Sequence, residues 1–428
     1  MMTSRERVFA ALNHGHVDRP PIDLGGHRSS GIMAMAYKRL KEYLGIHTGD
    51  IYVYDVPQQL AIIEPPVLDR FGVDTIELGR GFALTPEDWR DWVLPDGRPC
   101  KIPAHIQPVP DGEGGWRIEH EDGTVLGVQR AGSLYFEQTH YPLADSVGDV
   151  WDLDDAFDHS MWQRLGTPPA PLSYTDEHLE RLAQGARALR ASTDRAIIGL
   201  FGGNLLEAGQ FLFRNDNFFL LLAGEPERAH RFLDQLVERH LDHLERFCAA
   251  VGPYIDIILF GDDLGMQTGP QISPRMYAEF FQPRQKVLWK RAKELVPVRV
   301  MLHCCGGVYP LIPGMIEAGL DILQPVQTTA QGMEATQLKR AYGRDLCLWG
   351  GGCDTREMLH RGTPDEVRNH VKRNLEVLAP GGGFVFQQVH NIQADVPPEN
   401  IVAMLDAVSD GAWATSHSGS TEAIAGRT

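Results

Sequence analysis

Short apolar runs that stop at Gly, Asp or Asn recur along the chain, and eight of them share one form. They are "RPPIDLGG" (19–26), "GVDTIELG" (72–79), "AIIGLFGG" (196–203), "IDIILFGDD" (255–263), "VRVMLHCCG" (298–306), "LDILQPVQ" (320–327), "LCLWGGGCD" (346–354) and "GFVFQQVHN" (383–391). From the third onward they alternate with stretches of helical period such as "NFFLLLAGEPERAHRFLDQLVERHLDHLERFCAAV" and "TPDEVRNHVKRNLEVLA". Strands separated by helices pair in parallel through crossovers, and eight of them close into a (β/α)8 TIM barrel, here one domain over residues 1–408. Residues 83–165 break the repeat. Their β-prone pieces and the turn signals "LPDGRPC", "VPDGEGG" and "HEDGTV" predict antiparallel hairpins inserted after the second strand, placed over one end of the barrel as a lid. The segment 409–428, small and polar with no periodicity, is expected to be a disordered tail.

Charge and composition narrow the partners. A formal charge of -17 over 428 residues, with no Lys/Arg cluster, argues against nucleic acid and against anionic membrane surfaces. No run is long and apolar enough to span a bilayer, and "MMTSRERVFAALNHG" reads as an amphipathic helix rather than a signal peptide. A cytoplasmic location follows as the expectation. There the six cysteines are reduced thiols, of which Cys100, Cys248 and Cys347 are packing residues.

A barrel places its chemistry at the C-terminal ends of its strands. The residues there are polar and rich in metal-ligating types. His303 and Cys305 are two apart, so a continuing strand puts them on one face with Cys304 on the other, and Cys353 follows the seventh strand toward the same mouth. An imidazole and two thiolates hold zinc with a fourth position open, as catalytic sites do. Such a metal stabilises a substrate thiolate or a leaving oxygen. Asp262 and Asp263 follow the fourth strand; one either orients substrate or caps the next turn, and only one can face the axis. His27 and Arg28 end the first strand, where Arg28 either receives a carboxylate or makes a surface ion pair. Gln327 lies past the sixth strand. Asn391 and Gln393 either fix polar groups of a substrate or hold their own loop. "APGGGF" (379–384) joins helix to strand and reads as a helix C-cap rather than a phosphate loop, and no "GxSxG" elbow is present.

The stretches "RERVFAALNHGHVDRPPID", "GDDLGMQTGPQISPRMYAEFFQP", "HCCGGVYPLIPGMIEAGLDILQPVQ", "WGGGCDT" and "VHNIQADVPPENIVAML" resemble the uroporphyrinogen decarboxylase superfamily, within it the cobalamin-dependent methyltransferase branch. The resemblance implies a zinc-dependent methyltransferase that moves a methyl group between a small-molecule donor or acceptor and a corrinoid carried by a partner protein. It implies zinc on a His-x-Cys pair, matched by His303 and Cys305, and on a later Cys. Thiol-methylating members carry that Cys near the eighth strand, where this chain has Gln387, Gln388 and Val389, which leaves Cys353. His390 matches a histidine at the substrate cleft and is assigned a catalytic role with Asp262 and Asp263, while Arg28, His27, Asn391, Gln393 and Gln327 are assigned to substrate. Barrels of this family often pair, so a homodimer is expected. Two alternatives stay open. One is uroporphyrinogen decarboxylation itself, which in the family relies on an arginine-rich N-terminal segment, where this chain has a single arginine, Arg28, after the strand. The other is a non-catalytic barrel with a structural metal closed by Cys304 or His390.

Overall fold

A computed structural model describes residues 2–81, 85–165 and 174–410. Seven parallel strands, Thr75–Glu77, Ala196–Gly202, Ile257–Gly261, Arg299–His303, Ile322–Gln324, Cys347–Trp349 and Phe384–Val385, lie side by side in chain order. The expected first strand is shortened to the segment 21–23, but it closes the ring. On one side the Asp23 N–H donates to the Phe386 carbonyl and the Phe386 N–H to the Pro21 carbonyl, each at 2.8 Å; on the other the Asp74 N–H donates to the Ile22 carbonyl at 2.8 Å. Closure removes the sheet edges, so every barrel strand has its backbone groups paired on both sides.

Alternation along the strands sorts residues into two cores. Ile198, Ile257, Leu259, Met301, Ile322, Trp349 and Val385 fill the barrel interior, while their neighbours in sequence, among them Ile197, Ile258, Val300 and Leu323, pack outward under the helices. The helix Ser4–Leu12 plugs the bottom: Val8, Ala11 and Leu12 join the interior cluster, and the Ala11 carbonyl accepts from Gly383 just before the last strand. With the N-terminal end of the barrel stoppered, an internal cavity can open only at the other end.

The helices follow their sequence signals. Pro364–Leu378 begins with a capping box in which Thr363 accepts from the Glu366 N–H, and Pro364 occupies a position whose N–H would be unsatisfied anyway. The long apolar pattern at 215–251 divides into Asn215–Gly224 and Pro226–Val251, because Pro226 cannot donate back into the preceding turn.

Residues 85–165 form the expected hairpins. Trp89–Val93 pairs with Pro99–Pro103, and Val109–Pro110, Trp116–Glu119, Val125–Gln129 and Glu137–Gln138 make a four-stranded antiparallel sheet. The Asp122–Gly123 turn works because Gly123 adopts φ +91°, which a side chain would resist. Two short helices, Leu153–Asp158 and Met161–Leu165, follow. The insertion is tied to the top of the barrel: Tyr135 donates to Gln393, and Gln138 Nε2 donates to the Phe211 carbonyl at 2.7 Å. At the other end of the chain the helix Pro398–Ser409 runs through Ser409, so the expected tail begins later than 409; residues 411–428 lie outside the described residues. No described helix is long and apolar enough to cross a membrane.

Candidate active site

Strand parity decides which residues reach the mouth of the barrel. Met301 points into the interior, so His303, two residues on, does the same, and Cys304 turns outward, fully buried, where its sulfur accepts the Leu264 N–H at 3.3 Å. Cys305 comes back to the axis, its Sγ 3.5 Å from His303 Nε2. His390, past the last strand, brings its ring to 6.0 Å from that of His303. One nitrogen from each histidine and the Cys305 sulfur lie within 4.8 Å of one another, a spacing that one metal ion can bridge.

Cys353 does not join them. The chain leaves the strand Cys347–Trp349 through Gly350 and Gly351, both at positive φ, which breaks the alternation that would have turned Cys353 inward. The residue is fully buried in the outer core, its thiol directed at the Asp354 carbonyl at 3.7 Å, and its backbone bridges to Gln388. The expectation for Cys353 is therefore corrected: the side chain that the structure brings beside His303 and Cys305 is that of His390, an imidazole, and not a second thiol.

A relay of amides fixes His303. Its Nδ1–H donates to Gln324 Oε1 at 2.7 Å, Gln324 Nε2 donates to Gln387 Oε1 at 3.1 Å, and Gln387 Nε2 donates to the Ser29 carbonyl at 3.3 Å. With the proton held on Nδ1, the Nε2 lone pair points at the cavity, the tautomer a metal requires. Replacing Gln324 by Leu keeps the side chain's bulk and removes the acceptor. The expected result is a metal affinity about 10–100-fold weaker, measured by competition with a chelator, with the thermal midpoint little changed.

The electrostatics suit neutral nitrogen donors. Burial lowers the His303 pKa, against the pull of Asp263, and burial together with His303 pushes His390 down to about 4. Burial and then Asp263 hold the Cys305 thiol well above its ordinary pKa, and a metal bound there would displace its proton. Asp263, on the same inward parity as Ile257 and Leu259, accepts the Cys305 N–H at 2.7 Å and sits 3.5 Å from His303 Nε2. The residues present thus fit a soft or borderline divalent ion held by two imidazoles and one thiolate.

The other expected residues divide. Asp262 faces outward and caps the helix Leu206–Phe213, Oδ1 accepting the Glu207 N–H at 3.0 Å; burial, partly offset by those backbone donors, raises its pKa to about 7, and it does not line the cavity. Of the two candidate aspartates only Asp263 is at the site. Arg28 lines the cavity, with Nε 3.4 Å from Asp55. His27, expected to meet substrate, is instead fully buried: its Nδ1 accepts the Ser29 N–H, and its Nε2 lies 3.4 Å from Asp23. Gln327 accepts the Gly306 N–H at 2.9 Å and so steadies the Cys305 loop. Asn391 donates to Gln58 at 3.0 Å and Gln393 joins its loop to Tyr135; neither lines the cavity.

His303 and His390 line a cavity of about 310 Å³ whose wall contains residues that the sequence did not single out. Trp162, Tyr174 and Phe211 supply aromatic faces from segments with no periodic signal of their own. Glu207 lines the cavity beside Asp263, accepting from Asn204 Nδ2 at 2.7 Å and from the Asp263 N–H at 3.0 Å. Burial, then Asp263 and Asp262, raise its pKa well above the ordinary carboxylate value. A Glu in the first turn of a helix reads from sequence as a partner for the helix dipole, which hid this role.

Comparison with known proteins fits this geometry. The family model "Uroporphyrinogen decarboxylase (URO-D)" matches residues 156–411. The chain is 30% identical over 192 residues to uroporphyrinogen decarboxylase of Pseudoalteromonas translucida, covering 44% of this chain and 49% of that protein. It is 26% identical over 261 residues to the enzyme of Alkalilimnicola ehrlichii, covering 59% of this chain and 68% of that one. The match thus spans about half the length of the first relative. Among solved structures, a methyltransferase from Methanosarcina mazei superposes with a TM-score of 0.56 at 18% identity, over 96% of this chain and 99% of that one, which establishes the shared fold. By the match of the family model over more than half its length, the chain belongs to the uroporphyrinogen decarboxylase family.

Proposed function

We propose that the protein is a metal-dependent methyltransferase that takes a methyl group from a small methylated substrate and delivers it to a corrinoid on a partner protein. The observation that carries the reading is the donor set His303, Cys305 and His390, of which the two histidines line a closed-bottomed cavity. A site of three protein donors beside open space is the arrangement of a catalytic metal. Zinc bound there would act as a Lewis acid toward the heteroatom that bears the methyl group.

The chain's own residues have separable tasks. Gln324 and Gln387 hold His303 in one tautomer, and Asp263 and Gln327 hold the Cys305 loop through its backbone N–H groups. Trp162, Tyr174 and Phe211 surround an apolar substrate body and exclude water. Glu207 lines the cavity, and its raised pKa suits it to give the proton that a departing oxygen or nitrogen gains as the carbon–heteroatom bond breaks and the methyl group leaves toward the corrinoid.

The relatives' name offers the second reading, decarboxylation of uroporphyrinogen. The cavity opposes it. Among the described residues its arginines are Arg28, 3.4 Å from Asp55, and Arg239, paired with Asp154 at 2.7 Å, and Asp263 adds acid. A polycarboxylate tetrapyrrole would meet too little positive charge there. The deciding experiment incubates zinc-loaded protein with a reduced corrinoid protein and a panel of methoxylated aromatics, methylamines and betaines, following the cobalt spectrum. Methylation of the corrinoid by one donor class, absent without the metal, is expected. An unchanged spectrum across the panel, with release of carbon dioxide from uroporphyrinogen, would establish the decarboxylase instead.

A further inference from the structure

A second group of metal-ligating side chains lies in the hairpin insertion, away from the barrel mouth. His120 and Asp122 sit at the turn joining Trp116–Glu119 to Val125–Gln129, and His159 follows the helix Leu153–Asp158. One ligand atom from each lies within 4.8 Å of the other two. Asp122 bridges the histidines, Oδ1 at 3.0 Å from His120 Nδ1 and Oδ2 at 3.1 Å from His159 Nε2. Ligand atoms around a tetrahedral zinc-like ion sit about 3.3 Å apart, close to these separations.

The arrangement around His159 has the form of a prepared ligand. Its Nδ1–H donates to the Asp155 carbonyl at 2.9 Å, which fixes the tautomer and aims the Nε2 lone pair at the Asp122 carboxylate. A lone pair facing an anionic oxygen at 3.1 Å repels it unless a cation, proton or metal, lies between them. The two imidazole rings lie 4.0 Å apart with planes 31° from parallel, so two protons there would set like charges face to face. One divalent ion resolves both conflicts. Asp158, 3.0 Å from His120 Nε2, adds a carboxylate at the rim.

We propose that His120, Asp122 and His159 form a second divalent-metal site, free of sulfur, that clips the hairpin turn to the helix preceding Trp162. Imidazole and carboxylate ligands select a first-row ion such as zinc, cobalt or nickel. The consequence reaches the main cavity, because Trp162, three residues past His159, lines it and stacks on Phe211 with ring centroids 6.0 Å apart. Metal at the clip would fix one aromatic wall of the substrate pocket from outside.

The test strips the protein with a chelator, reloads it with cobalt(II), and measures metal retained after gel filtration with the absorption spectrum. Wild type is expected to hold about two ions per chain, and the variant His303→Ala with Cys305→Ala about one, without the sulfur-to-cobalt charge-transfer band. His159→Gln and Asp122→Asn should each hold about one and keep that band. In the barrel-site double variant, added zinc should raise the thermal midpoint by several degrees, and His159→Gln should abolish the rise. Retention of no metal by the barrel-site double variant, or full metal retention in both His159→Gln and Asp122→Asn, would overturn the second site. A wild type that lacks the charge-transfer band but holds an ion that His159→Gln loses would count against the barrel site and leave this one standing.

Discussion

Replacing Cys305 by Ala is expected to release the barrel-site metal and lower methyl transfer by about a thousandfold or more, beyond the 10–100-fold typical of losing an outer hydrogen-bond partner. Among the described residues the site has three protein donors, of which Cys305 supplies the sulfur. Two neutral imidazoles alone hold a divalent ion weakly, and no other thiol can take over. Cys304 is fully buried on the opposite side of the strand, accepting the Leu264 N–H, and Cys353 faces the Asp354 carbonyl in the outer core. Cys353→Ala is accordingly expected to keep both the metal and its activity. Elemental analysis of the two variants side by side checks the pair, and the reverse pattern would restore Cys353 as a ligand.

Trp349→Ala should cost about 3–5 kcal/mol of stability, the largest effect expected of a substitution outside the site. Trp349 is fully buried inside the barrel among Ile322, Met301 and Val385, where neighbouring strands cannot move in to fill a void. Its indole N–H also donates to Asp23 Oδ2 at 2.8 Å. Asp23 Oδ1 accepts from Gly26, Ser30 and Thr75, so the loss leaves this fully buried carboxylate short of one donor. Burial alone would raise the pKa of Asp23, yet His27, Thr75 and Trp349 hold it below the ordinary value. Trp349→Phe keeps most of the volume and loses the hydrogen bond, so about 1–3 kcal/mol is expected there. Urea unfolding should show both as lowered midpoints with an unchanged slope, and equal losses for the two would remove the cavity from the explanation.

Much of this was legible in the sequence, and parity explains which parts. The apolar runs marked the barrel strands because both faces of a barrel strand are buried, and the hairpins announced themselves through Asp–Gly turns. His303 and Cys305 were readable as a pair because the alternation that buries Met301 carries straight on to them. The same rule separates Asp263 from Asp262. It failed at Cys353, where two glycines at positive φ reset the direction of the chain. Neither the Gln324–Gln387 relay nor the raised pKa of Glu207 could be read in one dimension. The relay joins segments that are distant in the chain, and the shift at Glu207 depends on a burial and a pair of neighbouring carboxylates that only the folded barrel assembles. His27 misled because a buried histidine that orders its own turn looks in sequence like one that meets a ligand.

Crystals of the zinc-loaded protein, measured on both sides of the zinc absorption edge, give the most direct measurement. The account predicts an anomalous peak at the barrel mouth, about 2.3 Å from the Cys305 sulfur and about 2.0–2.1 Å from His303 Nε2 and a His390 ring nitrogen. A fully loaded crystal with no peak among those three side chains, or with one bonded to Cys353, would contradict it.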